Sequence, residues 1–230
     1  MSHKYLIISM LLKKHWWKIV AVLLLYYTIF AGFLFEVPRM AILNESIRNL
    51  HFHVTMWFGM MILLIASLIN SIRYLGSDEF ATDKLAEETA KVAMLFGVLG
   101  LLTGMVWAKF TWGAWWVNDV QLNGAAATML VYAAYFILRG SIDDPSKKAR
   151  VAAVYSIFAF ALMIVFIVVL PRMSDSLHPG RGGNPGFSSY DLDKNLRLVF
   201  YPAIIGWTLL GTWIVSIRLR IRSILEKLDV

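Results

Sequence analysis

Histidine is the scarce reactive side chain of this 230-residue sequence, which holds five histidines and no cysteine. His3 and His15 belong to a lysine-bearing N-terminal stretch and read as surface residues. His51, His53 and His178 are the ones whose surroundings suggest chemistry, because neutral imidazole is a common metal ligand. His51 and His53 are two residues apart, so on a helix they diverge by about 200° and at most one faces a shared ligand. His53 opens an apolar run and is expected to face inward, with His51 turned to loop or solvent as the alternative ligand. His178 lies in a stretch rich in glycine and proline. Trp112, Trp115 and Trp116 fall within five residues, and Asp119 follows them. On a helix these four occupy i, i+3, i+4 and i+7, one face, which predicts a flat aromatic shelf ending in a carboxylate. Such a shelf suits a membrane–water interface, where indoles concentrate, or a large flat ligand with polar edges. Two histidines on separate elements beside it could fill both axial positions of one haem iron, with the macrocycle on the indoles. Haem also carries two propionates, and the nearest cations in sequence are Arg48 and Arg181.

The elements that must position these residues are membrane helices. The sequence is 59% hydrophobic and only 16% charged, where a soluble domain carries about 25% charged residues. Mean hydropathy is +0.64. Six apolar spans can be drawn at roughly 16–35, 53–75, 88–108, 122–139, 149–170 and 196–217, each near the ~20 residues needed to cross the hydrocarbon core. The fold class is therefore all-α: one polytopic domain over 1–230, six transmembrane helices and a tryptophan-rich interfacial segment at 108–122. The first run is flanked by Lys13, Lys14 and Lys18 and followed by no small-residue cleavage site, so it reads as a retained span.

Fifteen of the 22 Lys and Arg lie in the N-terminal stretch, the 73–91 and 139–150 connections and the C-terminal tail. The richer side faces the cytoplasm, which predicts both termini inside. His51, His53, the tryptophan stretch and the 171–195 loop with His178 are then outside together. The net charge of +7 is accounted for by this topology and not by nucleic-acid binding. The 76–91 stretch, with Asp78, Glu79, Asp83, Glu87 and Glu88, reads as a solvated connection. Gly97, Gly100 and Gly104 predict close helix packing, and Pro202 a bend. The 171–195 segment, about 25 residues dense in breakers, has the length of a functional loop. No P-loop, Cys-x-x-Cys-His or catalytic constellation occurs, so binding and transfer are expected instead of bond-making on a substrate.

Trp112-Gly113-Ala114-Trp115-Trp116-Val117-Asn118-Asp119 resembles the "WWD" signature of the haem-handling proteins of cytochrome c biogenesis. His53-Val54 at the head of the second span, six spans, short length and His178 are similar to the haem exporter protein C (CcmC) family of the cytochrome c maturation system. The resemblance covers essentially the whole chain. It implies a protein of the bacterial inner membrane that holds haem b, non-covalently and transiently, at the outer face and presents it to a haem chaperone. The partners it implies are ATP-binding-cassette transporter subunits and a small single-span protein. The family pattern runs W-G-x-W-W-x-W-D-x-R-L-T; here Asn118 replaces the later tryptophan, Gln121 the arginine and Asn123 the threonine. Thr55 stands where proline commonly follows the His-Val pair, and Pro179 follows His178 directly.

Two other functions compete. A membrane b-type cytochrome usually stacks its haem ligands across the bilayer, whereas the ligands here cluster at one side. A haem-free transporter subunit predicts no strong Soret absorbance and no dependence on His53 or His178.

Overall fold

Each hydrophobic run becomes a helix, and the helices extend beyond the apolar stretches. The computed structural model describes residues 3–38, 43–178 and 192–228. The helices are α1 (His3–Leu34), α2 (His53–Ser77), α3 (Phe80–Trp112), α4 (Val120–Gly140), α5 (Pro145–Met163), the four-residue α6 (Leu170–Met173) and α7 (Lys194–Lys227). A 3₁₀ helix covers Asn44–His51, and a π-helical segment, Ile164–Val169, joins α5 to α6. Six helical stretches are long and apolar enough to cross a membrane, and the described residues contain no strand.

The ends of these helices are set by short polar residues. Asp119, Asp144 and Asp193 each sit in extended backbone before a helix, and each accepts a backbone N–H of its first turn. Pro145 then occupies the first position of α5, where a missing N–H costs nothing. Asp78 and Gly113 close α2 and α3 in the left-handed region, at φ 53° and 79°. Helix α7 continues through Pro202.

The most extensive packing is α2 against α3, and α1 lies along α7. Met60, Leu64, Phe96 and Tyr132 are fully buried in the main core. A second core of Ile47, Leu50, Leu192, Leu196 and Phe200 seats the 3₁₀ helix under the start of α7. Asn49 Nδ2 donates to the Thr103 carbonyl (3.2 Å) and Trp107 Nε1 to Ser46 Oγ (3.0 Å). These bonds fasten the 3₁₀ helix to α3 and so fix where α2 begins.

The glycines of α3 admit side chains, not a neighbouring backbone. A Cβ added at Gly100 would lie 2.8 Å from the Trp57 ring, and one at Gly104 would lie 2.7 Å from His53 Cε1. The backbone contact occurs elsewhere: a Cβ on Gly124 of α4 would strike the Phe166 carbonyl oxygen in the π segment. That segment adjoins Pro171, which cannot donate to a carbonyl four residues back and would crowd it in a regular turn. The wider turn relieves this, with Leu170 N–H bonding the Val165 carbonyl, five residues back.

The expected solvated connection at 76–91 is corrected. Only Asp78 and Glu79 separate α2 from α3, and Asp83, Glu87 and Glu88 are helical, with Asp83 and Glu88 buried. Arg139 of α4 forks onto Asp83 (Nη1–Oδ1 2.7 Å, Nη2–Oδ2 2.6 Å) and reaches Glu87 (2.9 Å). Arg222 and Arg218 of α7 bind Glu87 (2.7 Å) and Glu88 (2.6 Å). The carboxylates are buried because arginines of two other helices neutralise them, so hydropathy alone cuts α3 short.

Candidate functional site

At the end of the bundle away from Arg139, the helices separate around a partly open cavity of about 290 Å³. Its lining brings His53, Trp57, Trp107, Trp112, Trp116 and His178 together from α2, α3 and the two flanking connections. Among the described residues no group of three or more His, Asp or Glu could hold a bare metal ion.

His53 occupies the first turn of α2, and its Nδ1 lies 3.0 Å from the Gly100 carbonyl and 3.1 Å from Thr103 Oγ1. A carbonyl only accepts, so Nδ1 carries the hydrogen and Nε2 keeps its lone pair. The ring stands edge-on to two indoles, Trp57 (6.4 Å between centroids) and Trp107 (5.8 Å).

His178 is held differently. Its Nδ1 lies 2.9 Å from Asp119 Oδ1, and its ring is 5.1 Å from that of Trp112. Asp119 is 3% exposed and accepts from many groups at once. Oδ1 takes the Gln121 N–H (2.9 Å) and Leu122 N–H (3.3 Å), capping α4; Oδ2 takes the Ser176 hydroxyl (2.9 Å) and Leu177 N–H (2.7 Å). Burial works to raise the Asp119 carboxyl, but the Leu177 N–H, the nearby His178 and the Ser176 and Gln121 donors hold it below its ordinary value. Burial lowers His178 below the usual imidazole value, and Asp119 only partly opposes this. The pair at pH 7 is therefore a carboxylate facing a neutral imidazole. The carboxylate fixes the Nδ1–H tautomer and leaves the Nε2 lone pair available.

The aromatic shelf expected from helical spacing is broken up. Gly113, at φ 79°, ends α3 one residue after Trp112, and residues 113–119 are not helical. Lys109 Nζ donates to the Gly113 carbonyl (2.9 Å), favouring that termination. Trp112 and Trp116 line the cavity, whereas Trp115 is 54% exposed and does not. Asp119 lies behind His178 as its hydrogen-bond partner instead of ending a platform. Asn118 and Asn123 bond each other (2.8 Å), and Asn123 Oδ1 accepts from Trp116 Nε1 (3.2 Å).

The remaining expected site residues divide. Arg48 is not part of the lining: its guanidinium bonds Glu45 (2.7 Å) and the Gly32 and Phe35 carbonyls (3.0 and 2.6 Å), closing the end of α1. Arg181 lies outside the described residues. His51 does turn away from the cavity, but not towards solvent; it is 1% exposed and packs against Gly32 of α1. Sequence reasoning passed over Trp57, Trp107, Thr103 and Arg172, and met Gln121 only as a departure from the family pattern. Trp57 was within reach, since it follows His53 by four residues and shares its helix face.

A family model described as "Heme exporter protein C" matches residues 3–228. A heme exporter protein C of Bradyrhizobium diazoefficiens is 30% identical over 169 residues, covering 73% of this chain and 63% of the relative. One from Haemophilus influenzae is 27% identical over 142 residues, 60% of this chain and 55% of the relative. A cytochrome c biogenesis protein CcsA of Prochlorococcus marinus is 33% identical over 88 residues, 38% of this chain and 28% of that protein. The match thus spans less than two thirds of the length of these relatives.

Proposed function

Because the chain belongs to the haem exporter protein C family, we propose that its cavity receives one haem, bound through Nε2 of His53 and Nε2 of His178, in the service of cytochrome c maturation. The observation that carries this reading is the pair of tautomers. Each histidine lining the cavity has Nδ1 engaged by an acceptor, a carbonyl for His53 and a carboxylate for His178. Metal-binding histidines are oriented in this way, and such outer partners raise their basicity. Trp57, Trp107, Trp112 and Trp116 supply apolar, flat-faced walls. The volume is at the low end of ligand cavities, about 300–1,000 Å³, so part of the macrocycle projects from the open side.

Haem is the cargo here and is held as non-covalent haem b, since the chain has no cysteine for a thioether link. His53 is fixed on a rigid helix, and His178 is carried on residues 174–178, which are not helical. One ligand can therefore let go without disturbing the bundle, which suits a protein that passes haem to a chaperone. We place this site at the outer face of the bacterial inner membrane, with ATP-binding-cassette subunits and a small single-span protein as further partners.

A visible spectrum of the detergent-purified chain titrated with haem tests the reading: a low-spin Soret band is expected, and its absence would remove it. Trp112→Ala with Trp116→Ala should weaken binding about tenfold, since each ring contributes ~0.5–1.5 kcal/mol beyond area burial. Trp115→Ala should change binding little. Equal effects at all three positions would make the indoles an interfacial belt.

The orientation rests on the unequal Lys and Arg distribution. Single cysteines at Ser174, near the cavity, and Ser141, between α4 and α5, report it through an impermeant thiol reagent on intact cells. Labelling at Ser174 alone is expected; labelling at Ser141 alone would invert the topology.

A further inference from the structure

The cavity that we assign to haem has one formal charge in its lining among the described residues, and it is Arg172. Gln121 contributes an amide at the same rim. Arg48 and Lys109 are occupied by Glu45 and by backbone carbonyls.

The π segment explains how Arg172 comes to face the cavity. The buried side of α5 runs through Ala149, Ala152, Ala153, Ser156, Ala159 and Met163. Continued as a regular helix, that face would next pass through 166, 167 and 170. The wide turn advances the register by one residue, which brings Val168 and Arg172 round to line the cavity beside Ile167 and Pro171. Gly124 makes the displacement possible, because only a residue without a side chain tolerates the Phe166 carbonyl there. The Arg172 guanidinium is itself oriented, donating from Nη1 to the Val168 carbonyl at 2.6 Å. Its remaining N–H donors are available at the exposed rim, where a charged acid group can stay hydrated.

We propose that Arg172 selects a macrocycle with free carboxylates by pairing with one of its acid groups, an assignment that rests on the haem reading above. It is a specificity residue at the rim, not an iron ligand. The pair fixes which edge of the ring points outwards, through fork-to-carboxylate geometry.

The test compares haem with its dimethyl ester, which keeps the ring and the iron but lacks the acids. Both are titrated into the detergent-purified full chain and its Arg172→Gln and Arg172→Lys variants. The parent should favour haem over the ester by about five- to tenfold, as expected for a partly exposed charge-assisted pair. Arg172→Gln should bind both alike, with the parent's ester affinity and low-spin spectrum, and Arg172→Lys should keep part of the preference. A parent without preference, or an Arg172→Gln variant that keeps it, overturns the assignment while leaving the haem site standing. Equal loss of both ligands in Arg172→Gln also overturns it, because the residue would then only support the wall. If the parent binds neither ligand, the haem reading fails and takes this one with it.

Discussion

Replacing His178 or His53 with alanine is expected to abolish the two-histidine low-spin spectrum and to lower haem affinity by more than the roughly 10–100-fold that loss of an outer partner costs. The two variants should differ in rescue. His178 lies on a non-helical segment at the mouth of the cavity, so its removal opens space that free imidazole can enter. His53 is enclosed by Gly100, Gly104, Trp57 and Trp107, so rescue there should be weak. Asp119→Asn belongs to the same series and should lose about 10–100-fold. An amide cannot serve all the donors that the carboxylate accepts, and it can turn an N–H towards the imidazole. His51→Ala should keep the spectrum, although filling the contact against Gly32 makes His51 a packing residue whose loss lowers stability. An unchanged low-spin spectrum in His178→Ala would move the second ligand elsewhere.

At the opposite end, Arg139→Ala should destabilise the protein by about 3–5 kcal/mol, the cost of stranding a buried charge. Arg139 and Asp83 have side chains only 7% and 8% exposed, and the Asp83 carboxylate loses both of its short contacts when the guanidinium is removed. The Arg150–Asp78 pair, at 60% and 64% exposure, is the internal control; Arg150→Ala should cost no more than about 1 kcal/mol. Thermal denaturation in detergent should separate the two by on the order of 10 °C. Replacing Arg139 and Asp83 together by apolar residues should recover much of the loss, because the penalty lies in the unpaired charge. Equal, small effects of Arg139→Ala and Arg150→Ala would show that the network carries no stability.

The six spans were legible because uninterrupted hydrophobicity is a local property of sequence. Their ends were not legible: Asp83 and Glu88 are interior residues paired with Arg139 and Arg218, which lie 56 and 130 positions from the carboxylates they bind. The lysine and arginine counts put His53 and His178 at one end of the bundle, and both histidines do line one cavity there. The tryptophan face was misread because helical spacing was carried across Gly113, whose left-handed backbone stops the helix. Arg48 looked available from its place five residues before His53, but it was already committed to the carbonyl end of α1. Arg172 was hidden by the opposite error, since a π turn shifts its face by one register and no hydrophobic period records that shift.

The Asp119 carboxylate joins two events that would otherwise be separate. It caps the first turn of α4 and also tethers residues 176–178. Detaching that tether would break only these bonds and needs no unfolding of the bundle. The same carboxylate serves both, so the donors of residues 176–178 help to hold it in the orientation that caps α4. Gln121, in that first turn, belongs to the cavity rim. One carboxylate thus holds the rim and the His178 segment together, and Asp119→Ala is expected to loosen both.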